Sequence, residues 1–192
     1  MNFMINLLRL SLTDPNAAGS RILSLRPNLG TALSALVVII IITVVFLHAL
    51  NSFKPISLVY GLPKMLPITI VVARCLITLA LVWSIWLVAY AFGGSGSLVD
   101  GVLIFAWVQV LQLLFLIIQI PLSVLPINFA LLAILISIVV LLWVLFGLLN
   151  SWLGLNSMWK SAGCFIIGAL GMSMGAAFIL VSFGFSLEQG AL

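Results

Sequence analysis

The chain has 192 residues, of which 65% are hydrophobic and only 5% are charged. Its mean hydropathy of +1.46 lies far above that of soluble domains, so the composition excludes a water-soluble protein. Seven Lys and Arg residues against three acids give a formal charge of +4, but the charges are scattered and form no basic block that binds nucleic acid. The lipid bilayer is the expected partner of these charges.

Five apolar stretches are each long enough to cross a bilayer, since a hydrocarbon core of about 30 Å needs roughly 20 helical residues. Backbone groups in lipid must find partners within the protein, so only helices or a closed barrel can span it. Continuous apolar runs such as 35–45 lack the alternation of a barrel strand. We therefore predict an all-α fold, a polytopic transmembrane bundle of five helices preceded by an amphipathic interfacial N-terminal helix. The predicted segments are an N-terminal interfacial segment (1–28), a transmembrane domain (29–183, with spans at about 29–50, 68–91, 98–120, 127–149 and 161–183) and a short C-terminal tail (184–192).

The first 13 residues carry the pattern of an amphipathic helix that lies in the membrane interface. Apolar residues fill most of the helix, and polar residues recur at helical spacing: Asn2, Asn6, Arg9 and Thr13. Asp14 followed by Pro15 predicts an N-cap and a first-turn proline for a second short helix, which runs to about Leu25. The two helices could instead simply cover the cytoplasmic mouth of the bundle, and both interpretations can hold together.

Basic residues near the span ends favour a cytoplasmic N-terminus. Arg9, Arg21 and Arg26 precede the first span, which usually dominates insertion. With five crossings, the C-terminus is then external. The predicted cytoplasmic side also holds Lys160, whereas the outer side holds Lys54, Lys64 and Arg74.

Polar groups within the spans are the candidate functional residues, because each is unfavourable in lipid. Three glutamines of the third span fall within an arc of about 80° on one helix face: Gln109, Gln112 and Gln119. They predict either hydrogen-bonded crosslinks between helices, which we favour at this stage, or a polar pathway for a solute. Arg74 is the one charge expected within a span. It is predicted to anchor the second span, by reaching the interface or by pairing with Glu188, rather than to bind a substrate.

The turn between the second and third spans is rich in glycine, and its motif consists of Gly93, Gly94, Gly96 and Asp100. Asp100 is expected to stabilise the first turn of the third span, where a carboxylate meets the positive end of the helix dipole. The turn also fits a Gly-x-Ser-Gly pattern of intramembrane serine proteases, but a serine nucleophile needs a base within reach. The single histidine, His48, is predicted on the opposite side of the membrane. We therefore expect no enzyme.

Small residues form a stripe along the fifth span, at Cys164, Gly168, Gly171 and Gly175. Such a stripe permits close helix packing, by default against another helix of the same chain, or else against a second copy or another membrane complex. Cys75 and Cys164 have no further Cys or His at ligand spacing, so no metal, cofactor or disulfide is expected. The tryptophans, Trp152 and Trp159 among them, are assigned to interfacial belts.

Three sequence features together resemble a known family: the leader LRLSLTDPNAA (8–18), the turn FGGSGS (92–97) leading to Asp100, and WVQ (107–109). They resemble the short bacterial members of the Yip domain family, the Ypt-interacting proteins, and the likeness covers nearly the whole chain in segment order and loop length. The resemblance implies a five-helix integral membrane protein with a cytoplasmic N-terminus. It also implies the cytoplasmic (inner) membrane of a bacterium as its location, and it supplies no biochemical function.

Two classes of function remain open. The first, which the sequence favours, is a non-enzymatic membrane scaffold or organiser, or an accessory subunit, that acts through lipid contacts and helix association. The alternative is a small transporter or channel that uses the face of Gln109, Gln112 and Gln119. A scaffold predicts that these glutamines are buried against helices, whereas a transporter requires a cavity that reaches them.

Overall fold

The computed structural model describes residues 2–53, 66–122 and 127–182, and within these ranges it contains seven α-helices and no β-strand. Five of the helices are long and apolar enough to cross a membrane, which confirms the predicted all-α bundle with a short helix before it. The connection between the first two spans and the C-terminal tail lie outside the described residues. The helices are α1 (Asn2–Thr13), α2 (Pro15–Leu23), α3 (Leu29–Phe53), α4 (Pro67–Ala91), α5 (Leu98–Leu122), α6 (Ile127–Leu153) and α7 (Met158–Ser182).

The predicted start of α2 is confirmed. The Asp14 carboxylate accepts a hydrogen bond from the backbone N–H of Ala17 at 3.1 Å, and Pro15 occupies the first turn. α1 places Leu7 and Ser11 against the bundle, because both side chains are buried. Its other side exposes four large apolar side chains, those of Phe3, Met4, Ile5 and Leu12.

α5 lies at the centre of the bundle. Within its most apolar stretch 50% of the residues are buried, against 22–28% for the other four spans. It packs against α3, α4 and α6 and also contacts α2. The core around it is formed by Leu36, Ile40 and Val44 of α3, Val82 and Ile85 of α4, Ile104, Val108 and Leu111 of α5, and Val144, Leu148 and Leu149 of α6.

The outward faces of the spans are covered by large apolar side chains. Val38 and Val45 on α3, Leu76 on α4, Val139 on α6 and Leu170 on α7 are each more than half exposed. A continuous apolar surface of this kind is stable against hydrocarbon and is rare on soluble monomers. The fold is therefore that of a multi-pass membrane protein whose outer surface contacts lipid.

One end of the bundle, here called the capped end, is formed by α1, α2, the α4–α5 turn (92–97) and the α6–α7 turn (154–157). The indole N–H of Trp107 on α5 donates to the Ser11 hydroxyl of α1 at 2.9 Å, and this hydrogen bond is buried. The Asn150 side-chain amide of α6 donates to the Asn16 side-chain oxygen of α2 at 3.0 Å. The two N-terminal helices thus cover this end of the bundle.

α2 lies so close to α6 that glycine is required on both helices. A Cβ on Gly19 would lie 2.8 Å from the Cβ of Ser151 and would overlap its hydroxyl. A Cβ on Gly147 would overlap the ring of Pro15. This tight contact fixes the N-terminal segment to the last turns of α6.

The small-residue stripe of α7 is only partly used for packing. Cys164 and Gly168 are buried, and a Cβ on Gly168 would lie 3.0 Å from the backbone N and Cα of Ile85 on α4. Gly171 and Gly175 are exposed, and no atom of the described residues lies within 4 Å of the position of a Cβ on either residue. Within the described ranges, the stripe therefore packs against α4 at Gly168 and meets no neighbour at Gly171 or Gly175.

This difference predicts opposite outcomes for one substitution at two positions of the same helix. Gly168→Leu should lower the free energy of unfolding by about 1–3 kcal/mol, because the new side chain meets the backbone of α4. Gly171→Leu should leave it nearly unchanged, because the space there is open. Unfolding of the purified protein by SDS titration measures both, and equal losses in the two variants would contradict this packing.

Candidate functional site

The glycine-rich turn at the capped end is a tightly packed structural element. Gly93 has a φ of +81°, a conformation that favours glycine, and it ends α4. The indole N–H of Trp152 donates to the carbonyl of Ser97 at 2.7 Å, and that of Trp86 donates to the carbonyl of Gly96 at 2.9 Å. The Trp152 ring leaves no room for a side chain at Gly96 or at Gly101 of α5.

Gly94 and Asp100 complete the same turn. The backbone N–H of Gly94 donates to the carbonyl of Ala89 at 2.8 Å. The Ser97 hydroxyl donates to the Asp100 carboxylate at 2.7 Å, and the backbone N–H of Asp100 donates back to the Ser97 hydroxyl at 3.2 Å. Asp100 therefore stabilises the first turn of α5, as its position predicts.

The protease pattern in this turn has no base beside it. Ser95 lies at the capped end, where its backbone N–H donates to the carbonyl of Leu153 at 3.1 Å. His48, the single histidine of the chain, lies near the other end of α3. The turn therefore positions α4, α5 and α6, and Ser95 and His48 lie toward opposite ends of the bundle.

The opposite end of the bundle, where α3 and α5 end and α4 and α6 begin, contains a cavity of about 400 Å³. We call it the cavity end. This volume lies within the usual range of small-molecule sites, about 300–1,000 Å³. Four helices form its wall: α3 contributes Thr43 and Leu47, α4 Arg74, α5 Gln112, Phe115, Leu116 and Gln119, and α6 Ile134, Ser137, Ile138 and Leu141.

The cavity combines an apolar wall with a few polar groups. The hydroxyls of Thr43 and Ser137 donate to carbonyls of their own helices, those of Ile39 and Ala133, each at 2.8 Å. Each hydroxyl oxygen can therefore still accept a hydrogen bond from a solute. Because these protons are held by the helices, the donors available to a solute come from longer side chains on the wall.

Arg74 is the cation of this wall. It lies about two turns into α4, and its Nη1 atom is buried with no hydrogen-bond partner among the described residues. The predicted partner, Glu188, lies outside the described residues. The side chain lines the cavity, so the guanidinium of α4 and the amides of Gln112 and Gln119 on α5 belong to one cavity wall.

The three glutamines do not form one continuous line. Gln112 and Gln119 line the cavity, whereas Gln109 lies one turn nearer the capped end and is not part of the wall. The Oε1 atom of Gln109 is buried and has no hydrogen-bond partner among the described residues. The crosslink that the sequence favours is therefore not seen at this oxygen.

The two cysteines are separate from the cavity. Cys75 is half-buried on α4 and Cys164 is buried on α7, and both are free thiols. In the part of the chain that the structure describes, no group of three or more His, Cys, Asp or Glu side chains could hold a metal ion.

Sequence reasoning missed several of these residues. Trp152 is 2% exposed and belongs to the core of the capped end, so its assignment to an interfacial belt is wrong, whereas Trp159 is 88% exposed. Thr43 and Ser137 were not singled out, although a hydroxyl inside an apolar span is a signal of a polar lining. Gly101 was also missed. A glycine in the first turn of a helix is a signal that another side chain packs closely against that turn, as Trp152 does here.

Comparison of the chain with protein-family models, with curated proteins and with solved structures finds no match in any of the three.

The contact of Trp152 predicts the effect of a conservative change. Trp152→Phe removes the hydrogen bond to Ser97 and leaves a void beside Gly96, so the free energy of unfolding should fall by about 1–3 kcal/mol. Trp159→Phe is the matched control, because this indole is exposed and should change stability little. SDS-titration unfolding measures both variants, and a Trp152→Phe protein as stable as the control would show that the capped end does not depend on this indole.

Proposed function

We propose that this protein is a non-enzymatic, multi-pass membrane protein that binds a small polar solute within the bundle, as a carrier or as the solute-binding subunit of one. The observation that supports the proposal most is that the cavity reaches Gln112, near the middle of α5. A cavity with polar side chains at that depth is not needed for association with other helices, and the polar groups on its wall are unfavourable in lipid.

The sequence favours a scaffold, whereas the lining of the cavity supports solute binding. A scaffold predicts that the glutamines join helices by hydrogen bonds. Instead, Gln112 faces a hollow beside Arg74, and the buried Oε1 of Gln109 has no partner among the described residues. Small-molecule sites typically have this composition, with apolar walls and a few convergent polar groups.

The cavity lies in the half of the bundle away from the capped end. Ile40, Val108 and Val144 lie about one helical turn nearer the capped end than the cavity wall, and all three are buried. Beyond them lie the α1–α2 cover and the indole of Trp152. We infer that a solute enters from the cavity end, and that passage through the bundle requires the capped end to open.

Orientation and location belong to the same proposal. A cytoplasmic N-terminus, as the basic residues favour, places the capped end inside the cell and the cavity on the outer side of the inner membrane. The exposed apolar side of α1 then lies in the cytoplasmic interface, and Arg21, whose guanidinium carbon lies 5.3 Å from the ring centre of Phe3, faces the headgroups. The likeness to the Yip domain family agrees with this topology and remains part of the proposal.

A second function, association with another helix, is favoured by one observation. Gly171 and Gly175 on α7 are exposed with open space beyond them, and small residues at this spacing permit a close helix contact in lipid. A second copy or another integral membrane protein would fit there. Such an accessory role is compatible with solute binding.

Cysteine accessibility tests the proposed function. In a variant that lacks Cys75 and Cys164, a cysteine at Gln112 should react with a membrane-impermeant thiol reagent added from the cavity end, because the cavity admits water. Two control positions on α5 should stay protected: Leu111, which is buried beside it, and Ile118, which is exposed to lipid.

Reaction of all three cysteines at the same slow rate would contradict the proposal. It would restore the crosslink interpretation of the glutamines, and with it a purely structural role for the bundle.

A further inference from the structure

We propose that the solute of this cavity is a singly charged organic anion with a carboxylate head and a short apolar body, and that Arg74 is the residue that selects it. This inference rests on the proposed function and names its substrate class. It follows from the charge of the cavity wall, from the hydrogen-bonding groups around Arg74, and from the distribution of polar and apolar side chains.

The charge of the wall is positive among the described residues. The chain has only three acidic residues. Asp14 caps α2 and Asp100 binds Ser97, and both lie at the capped end, away from the cavity. The third, Glu188, lies outside the described residues. Arg74 is half-buried and its buried Nη1 atom has no hydrogen-bond partner among the described residues, so an anion in the cavity would supply one.

The hydrogen-bonding groups suit a carboxylate. A guanidinium presents planar, paired N–H donors that match the two oxygens of a carboxylate. Gln112, which lines the same cavity from α5, adds an amide group, and an amide N–H can donate to a carboxylate oxygen. A single cation without further basic side chains on the described wall fits one negative charge better than two.

The remaining wall limits the body of the solute. Its apolar side chains come mainly from α5 and α6: Phe115, Leu116, Ile134, Ile138 and Leu141. A volume of about 400 Å³ lies near the lower end of the range of small-molecule sites, about 300–1,000 Å³, which favours a small body. A short aliphatic or aromatic carboxylate satisfies both limits, since its head meets Arg74 while its body contacts the apolar wall.

Fluorine NMR on the purified full-length chain in nanodiscs of zwitterionic lipid tests this inference. The probes are trifluorobutyrate and its neutral amide, which have nearly the same shape but differ in charge. Trifluorobutyrate should show saturable line broadening that unlabelled butyrate reverses, and the amide should bind at least about tenfold more weakly. Empty nanodiscs correct for partition of the probe into lipid.

Two variants distinguish the effect of the Arg74 side chain from the effect of the net charge of the protein, and a third tests the paired donors of the guanidinium. Arg74→Gln should weaken trifluorobutyrate binding at least about tenfold. Lys160→Gln removes the same charge from an exposed site at the capped end and should leave binding unchanged. Arg74→Lys, which keeps the charge but not the paired donors, should bind with intermediate affinity. The comparison of acid with amide on the wild-type chain does not depend on the folding of any variant.

The other outcomes distinguish this inference from the proposed function. Reaction of the Gln112 cysteine together with equal binding of acid and amide would leave solute binding intact and overturn selection of an anion. Protection of that cysteine together with no binding of either probe would contradict both the proposed function and the selection of an anion.

Binding of the acid only in a Glu188→Gln variant would show that Arg74 is neutralised within the chain, and would overturn the inference. Loss of binding when anionic lipid is added to the nanodiscs would also overturn it, because the site would then belong to a lipid headgroup.

Discussion

Hydrogen-bond satisfaction inside a bilayer is the constraint on which this structure depends. Polar groups that leave water for lipid must find partners within the protein, because hydrocarbon offers none. At the capped end the indoles of Trp86, Trp107 and Trp152 donate to two turn carbonyls and a serine hydroxyl. At the cavity end Arg74 is buried in part without such a partner among the described residues. Among the described residues, the two ends of the bundle therefore differ in how their polar side chains are satisfied.

α5 connects these two ends. From Gly101 to Val108 every residue of α5 is buried except the half-buried Leu103, and this stretch fits the capped end. Its second half carries Gln112 and Gln119, which line the cavity. The hydrogen bond between Ser11 and Trp107 joins α1 to the same helix.

The sequence predicts where the helices lie along the chain better than it predicts which residues of other helices pack against them. The five spans, the Asp14 cap and the role of Asp100 depend on local patterns and are all found. The sequence assigns Trp152 to an interfacial belt, because the predicted fourth span ends at residue 149. α6 in fact continues to Leu153, which carries the indole into the core.

The same limit explains the α7 stripe and the cavity. The spacing of small residues shows which face of α7 permits close approach, but not how far along that face a neighbour extends. α4 meets Gly168 and leaves Gly171 open. The glutamine face was recognised, but whether it meets helices or a hollow depends on the side chains of α3, α4 and α6 opposite it. A hydroxyl inside an apolar span signals a polar lining, but the sequence does not show that Thr43 of α3 and Ser137 of α6 line the same cavity.

The central claim is that water enters the bundle from the cavity end. The most direct measurement is the accessibility of a spin label on α6 to a water-soluble nickel chelate and to oxygen, which concentrates in lipid. A label at Ser137, on the cavity wall, should collide mainly with nickel, whereas a label at Val139, which is 65% exposed on the outer surface, should collide mainly with oxygen. A label at Ser137 that meets oxygen as often as the one at Val139, and nickel as rarely, would contradict this account.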